Sequence, residues 1–86
     1  MQSLSLAALD VPSRTQQHFL LDADTGVLCR VLGLYAARGI AIDHLDYHPA
    51  GVDGMRLCVT AGADSETMRI LIAKAGSLFG VIDAAL

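Results

Sequence analysis

The stretch A-D-T-G-V-L-C-R-V-L-G-L-Y-A-A-R-G, residues 23–39, decides the fold of this chain. It reads as a polar turn that leads into one amphipathic helix. Apolar residues recur in it at the spacing of a single helical face: Leu28, Val31, Leu32 and Tyr35. Asp24 or Thr25 is placed to cap the first turn, and Gly39 is placed to end the helix in the left-handed conformation. Gly33, inside the helix, predicts close packing there, since glycine otherwise weakens a helix.

The polar turn before this helix is also the site that local physics suggests. Gly26 carries no side chain, so a ligand can come close to the backbone there. The free N–H groups and the positive dipole end of a helix attract carboxylates and phosphates. The same residues also make a well-capped structural helix, which is the commoner use of such a pattern.

Composition bounds the class of protein. The 86 residues correspond to one domain, and 53% of them are apolar, against about 45–50% in ordinary domains. A small domain buries a limited core, so we expect the apolar surplus to be covered by a partner or a second copy. The net charge is −3, with only 17% charged residues, which argues against nucleic-acid binding.

Neither a membrane span nor an export signal is predicted, and we expect a cytoplasmic protein. No apolar run approaches the roughly 20 residues that a membrane helix needs. Residues 1–12 carry no Lys or Arg ahead of their apolar residues, which makes them a poor secretory signal. Cys29 and Cys58 lie on different predicted elements without metal-site spacing, so we interpret them as small buried apolar residues.

The remaining chain alternates strands and helices around residues 23–39. Residues 1–14 read as a flexible leader and residues 15–86 as one domain. Strands are predicted at residues 16–22, 40–48, 55–61 and 78–86, with a turn at 49–54. A second helix follows Gly62, capped by Asp64 or Ser65, with Glu66 in its first turn. Its apolar stripe comprises Met68, Leu71, Ile72 and Ala75.

The second predicted strand contains a slip in its alternation. Ile40 and Ile42 share one face of an ideal strand, whereas Leu45 and Tyr47 share the other. A β-bulge near residues 43–44 would return both pairs to the same face.

The order βαββαβ predicts an α+β, ferredoxin-like fold, which is a four-stranded antiparallel sheet with two helices on one face. In this topology the second strand is a sheet edge. An exposed edge that carries Ile40, Ile42 and Leu45 invites another chain, so we expect a homodimer through it.

No catalytic constellation, cofactor or metal site is predicted. His44, Asp46 and His48 alternate along one strand face, where neighbouring pairs could offer two ligands, too few for structural zinc unless a dimer supplies the rest. The glycines do not follow a phosphate-loop or dinucleotide pattern, and no nucleophile has a neighbouring base.

The stretch G-V-L-C-R-V-L-G-L-Y-A-A-R-G-I-A-I-D-H-L resembles the first helix and second strand of ACT domains, with the closest likeness to the regulatory small subunits of acetolactate synthase. The family pattern is roughly G-x-L-x-R-V-x-G-L-F-x-x-R-G-x-N-I-E-S-L, and S-L-F-G-V-I resembles the start of its last strand. The resemblance covers residues 15–86. Coinciding residues are Gly26, Leu28, Arg30, Val31, Gly33, Leu34, Arg38, Gly39, Ile42 and Leu45.

The resemblance implies a non-catalytic regulatory subunit. ACT domains pair side by side and bind small molecules, usually amino acids, at the joint. In the synthase small subunits the effector is a branched-chain amino acid such as valine, and the subunit modulates a large, thiamine-diphosphate-dependent catalytic subunit. Carried over by position, the ligand-binding residues are Ala23, Asp24, Thr25, Gly26, Val27 and Leu28 of one chain with Ile40, Ala41 and Ile42 of the other.

Two positions depart from that pattern, and they keep other functions open. Ala23 and Ala41 stand where the family often has Asn, whose amide can bind the charged ends of an amino acid. The alternatives are a structural module that only activates a partner enzyme and a stand-alone sensor of another small ligand.

Overall fold

The computed structural model describes residues 14–86, and the leader predicted at residues 1–14 lies outside this range except for Arg14, which begins the first strand. Six elements follow one another: β1 (Arg14–Asp22), α1 (Thr25–Ala37), β2 (Ile42–Ala50), β3 (Gly54–Gly62), α2 (Ser65–Gly76) and β4 (Val81–Ala85). The strands form one antiparallel sheet in the order β2-β3-β1-β4. The predicted βαββαβ fold is confirmed, and β2 is an edge strand as expected.

The core lies between one face of the sheet and the two helices. Alternate residues of the central strands point into it: Phe19, Leu21, Leu57, Val59 and Ala61. The helices add Val27, Val31, Tyr35, Met68, Leu71 and Ala75. The stripe of α2 follows the prediction, whereas the stripe of α1 is rotated: Val27 is buried and Leu28 and Leu32 are only half-buried. One helical position shifts the face by about 100°, and both positions are apolar, so periodicity alone does not separate them.

A hydrogen bond between Tyr35 and Gln17 crosses this core. The Tyr35 hydroxyl donates to Gln17 Oε1 at 3.0 Å, and Gln17 is fully buried. The Gln17 amide in turn donates to the Thr15 hydroxyl at 2.8 Å. Burial, and secondarily the nearby Cys58 thiol, raise the pKa of Tyr35 well above its ordinary value, so the hydroxyl keeps its proton.

The β-bulge predicted in the second strand is confirmed. The register between β2 and β3 passes from Ile42 opposite Ala61 to His44 opposite Thr60, so Asp43 is the extra residue. Beyond the bulge, Leu45 and Tyr47 face the helices, as Ile42 does before it. Bounds differ slightly from prediction, because the strand begins at residue 42 and continues through residue 50, which pairs with Gly54.

The helix ends follow the predicted capping chemistry. Asp24 and Asp64 are the N-caps, and their carboxylates accept from the N–H groups of Gly26 and Thr67, each at 2.8 Å. Helix α1 ends at Ala37 with Arg38 as its C-cap, and Gly39 follows with φ +65°, which confirms the predicted left-handed stop. The predicted close packing at Gly33 is wrong, since a β-carbon there would meet no atom within 4 Å.

Replacing Tyr35 with Phe should destabilise the chain by about 1–3 kcal/mol, because Gln17 Oε1 would stay buried without its donor. Urea unfolding measures this difference. The double variant Tyr35→Phe with Gln17→Met removes both partners and should recover part of the loss. Equal stability of wild type and Tyr35→Phe would show that the bond contributes nothing.

Candidate ligand-binding turn at the start of α1

The turn between β1 and α1 is held by the backbone of two other loops. Asp22 N–H donates to the Gly80 carbonyl at 2.8 Å, and Ala23 N–H donates to the Asp53 carbonyl at 3.3 Å. Gly80 precedes β4, and Asp53 lies in the hairpin between β2 and β3. Three loops therefore meet at one end of the sheet, and they fix where α1 begins.

The N–H groups of the turn are partly used within the turn itself. Gly26 N–H donates to the Asp24 carboxylate at 2.8 Å, and Val27 N–H donates to the Asp24 carbonyl at 2.9 Å. The carboxylate of Asp24 thus occupies the position at which a helix N-terminus holds an anion. A ligand carboxylate would have to displace this side chain or bind beside it.

Arg30 lies over the same turn, and sequence reasoning gave it no role. A β-carbon built on Gly26 would stand 3.9 Å from Arg30 Nη2 and 3.2 Å from Asp24 Oδ1. The guanidinium is solvent-exposed and, among residues 14–86, forms no salt bridge. The i+4 spacing from Gly26 to Arg30 on one helix face is the signal that could have identified it.

Gly80 is required by the packing of this end of the molecule. Its φ is +92°, and a β-carbon there would lie 2.4 Å from Val27 Cγ2. Because Val27 is buried, the loop before β4 and the first turn of α1 are in direct contact without a side chain between them.

The structure brings together only part of the predicted site. Residues 23–28 form one continuous turn, whereas residues 40–42 lie at the other end of α1, a helix of 13 residues that spans about 20 Å. Ile40 and Ile42 are half-buried against the core, and Ala41 is exposed. Within one chain, therefore, the two groups cannot contact the same small ligand.

Within residues 14–86 the other candidate groups do not form a site. His44 Nε2 lies 3.3 Å from Asp46 Oδ2, and both side chains are exposed. In the described part of the chain no three His, Cys, Asp or Glu residues are placed to share a metal ion. No helix within residues 14–86 has the length and apolar character to cross a membrane.

No family model and no curated protein matches the sequence. Solved structures match its fold. The C-terminal domain of the MgtC protein from Mycobacterium tuberculosis aligns with a TM-score of 0.74 at 16% identity, over 88% of this chain and 86% of that domain. The ACT domain from GTP pyrophosphokinase of Chlorobium tepidum aligns with a TM-score of 0.72 at 11% identity, over 86% of this chain and 96% of that domain.

The acetolactate synthase small subunit from Thermotoga maritima aligns with a TM-score of 0.74 at 22% identity, over 85% of this chain. The alignment covers 46% of that subunit, so this chain spans about half its length. At such identities the likeness concerns the fold. The chain has the ferredoxin-like fold of ACT domains, as the resemblance in residues 26–45 predicted.

Replacing Gly80 with Ala should destabilise the chain by about 1–3 kcal/mol, because the new methyl group collides with Val27 at a positive φ. Thermal or urea unfolding measures the loss. Val27→Ala has a cost of its own because Val27 is buried, but the double variant should lose less than the sum of the two single variants, since the smaller side chain makes room for the new methyl group. Gly33→Ala is the control, since a β-carbon there meets open space and should stabilise the helix slightly. Unchanged stability of Gly80→Ala would contradict the contact.

Proposed function

We propose that this chain, with its ACT-type fold, is a non-catalytic regulatory module that pairs through β2 and binds an amino acid effector at the joint. One observation carries the proposal. The two groups of predicted ligand-binding residues, 23–28 and 40–42, lie at opposite ends of α1 in one chain. They form one site only if a second copy supplies the second group.

Pairing through β2 achieves this arrangement. Both β1 and β2 are antiparallel to β3, so they run in the same direction. The last residue of β2 therefore lies at the same end of the sheet as the β1–α1 turn. If β2 pairs in antiparallel fashion with β2 of a second copy, the start of one strand lies beside the end of the other. Residues 40–42 of the second copy then approach residues 23–28 of the first, on both sides of the two-fold axis.

The charges of the turn suggest how an amino acid would be held. The Arg30 guanidinium near Gly26 is suited to a carboxylate. Asp22 and Asp24 offer carboxylates to an ammonium group, in place of the amides that Ala23 and Ala41 lack. The half-buried Ile40 and Ile42 of the second copy favour an apolar, branched effector such as valine.

A larger catalytic subunit is the partner that this proposal implies. The residue pattern of the first helix resembles acetolactate synthase small subunits, and the fold aligns with one such subunit at 22% identity. We infer a cytoplasmic, thiamine-diphosphate-dependent synthase as the enzyme that is modulated. The apolar surplus of the chain, 53% of its residues, is consistent with a protein that works in contact with others.

One observation favours a second candidate, a module that binds a partner enzyme without any effector. The Asp24 carboxylate already accepts from Gly26 N–H, so the N-terminus of α1 carries its own anion. In that case Ala23 and Ala41 reflect the loss of an effector site. A stand-alone sensor of another small ligand shares the same turn and differs in having no synthase partner.

Thermal unfolding in millimolar amino acids separates these candidates. A ligand at about 100 times its dissociation constant adds about 2.7 kcal/mol of stability, which is a shift of more than about 5 °C for a domain of this size. We expect the shift with valine, leucine or isoleucine. Gly26→Asp should abolish it, whereas Ala73→Asp, an added carboxylate on the exposed face of α2, should not. No shift with any amino acid would favour the effector-free module, and an undiminished shift in Gly26→Asp would refute the assigned site.

Light scattering of the purified chain tests the β2 joint. The measured mass should be twice the 9.0 kDa of one chain. Asp43→Pro should shift the chain towards monomer, because proline has no backbone N–H and interrupts regular strand pairing along the β2 edge at its bulge. Asp43→Ala is the matched control, since it removes the same ion pair with Arg14 and leaves the edge open. A dimer unaffected by Asp43→Pro would place the joint elsewhere.

A further inference from the structure

The sheet has a second face, which the helices do not cover. We call it the open face. No element within residues 14–86 packs on it, and it carries all three histidines of the chain. By strand register its residues form three rows across the sheet: His44, Thr60 and Gln16; then Asp46, Cys58, His18 and Ala85; then His48, Arg56, Leu20 and Asp83.

Cys58 and His18 lie at the centre of the open face. They pair directly across β3 and β1, the two central strands. Both are half-buried, with neighbours in sequence that point into the core. Directly paired residues have β-carbons about 4.5–5.5 Å apart, so a thiolate and an imidazole can reach one common point above the sheet. These two side chains are typical zinc ligands, but within residues 14–86 of one chain no third His, Cys, Asp or Glu is placed to share a metal ion with them.

A second copy stacked on the open face completes the set. Consider a two-fold axis that runs along the strands between β3 and β1. It places β3 of each copy over β1 of the other, so Cys58 of one copy faces His18 of the second. Two thiolates and two imidazoles then surround the axis. Aligned sheets pack about 10 Å apart, which leaves a metal ion at mid-height about 5 Å from each backbone, within reach of both side-chain types.

The charges of the open face fit this arrangement and favour a second copy of the chain as the molecule that packs on it. The same axis places β2 of each copy over β4 of the other. Arg56 and His48 then stand over the side of the second copy that carries Asp83, and Thr60 stands over Gln16. The pairs occur twice because of the symmetry. The open face is thus complementary to itself in this orientation.

We propose that the open face binds one Zn²⁺ between two copies of the chain, through His18 and Cys58 of each. This site lies away from the β1–α1 turn and leaves the β2 edge free. The proposal therefore stands independently of effector binding and of the β2 joint.

Zinc titration of tag-free, reduced protein tests it. We expect one Zn²⁺ bound per two chains by calorimetry and metal analysis. Light scattering should show that zinc doubles the mass of a monomeric starting protein. If the zinc-free protein is already paired through β2, zinc should instead join the pairs into larger assemblies, because the two-fold axes of the two contacts do not intersect. EDTA should reverse either change. Co²⁺ in place of Zn²⁺ should give the visible spectrum of a tetrahedral site with a thiolate-to-metal band.

Variants assign the ligands. Cys58→Ser should abolish the doubling and the thiolate band. His18→Gln should abolish the doubling and alter the tetrahedral spectrum. Cys29→Ser and His44→Gln should retain both, because Cys29 lies on the exposed side of α1 and His44 at the sheet edge. Circular dichroism confirms that each variant is folded. Binding of one metal per chain without a change of mass, or a doubling that survives Cys58→Ser, would overturn the proposal.

Discussion

Two helices cover only one face of a four-stranded sheet, and the rest of the structure depends on this constraint. Because β1 and β3 are central and covered on one side, their residues alternate between a buried set, such as Phe19 and Val59, and a half-exposed set, such as His18 and Cys58. Within residues 14–86, β2 and β4 are the two edge strands of the sheet, and their outer backbone groups pair with no other described strand. Residues 14–86 thus have one core, between the helices and the sheet, and they leave the open face and the two edge strands exposed.

Much of this arrangement could be predicted from the sequence, because each element carries a local signal. The phase slip between Ile42 and Leu45 predicted a bulge, and the register confirms it at Asp43. Capping aspartates predicted both helix starts. The buried face of α1 is harder to predict, because Val27 and Leu28 are both apolar. Packing of Val27 against the loop of Gly80 decides which of the two is buried. The rows of the open face depend on long-range register, which no local pattern contains.

The candidate site was predicted only in part, for a related reason. The turn at residues 23–28 is contiguous in sequence, and the structure keeps it together. Whether its N–H groups are free depends on the rotamer of Asp24, and the structure shows that Gly26 N–H is already used. The position of Arg30 beside Gly26 also depends on a side-chain conformation. Residues 40–42 are close in sequence to α1 yet lie at the end of the helix away from residues 23–28, so the proposed site needs a second copy of the chain.

Under the proposed function, the hydrogen bonds that connect the turn to other loops define how far the effect of an effector can extend. Asp22 N–H donates to Gly80 before β4, and Ala23 N–H donates to Asp53 in the β2–β3 hairpin. The turn therefore contacts the loops that lead to both edges of the sheet. A ligand changes the population of two arrangements only through a difference in its affinity for them. Displacement of the Asp24 carboxylate would supply such a difference, because it frees Gly26 N–H and alters the turn that these two backbone bonds hold.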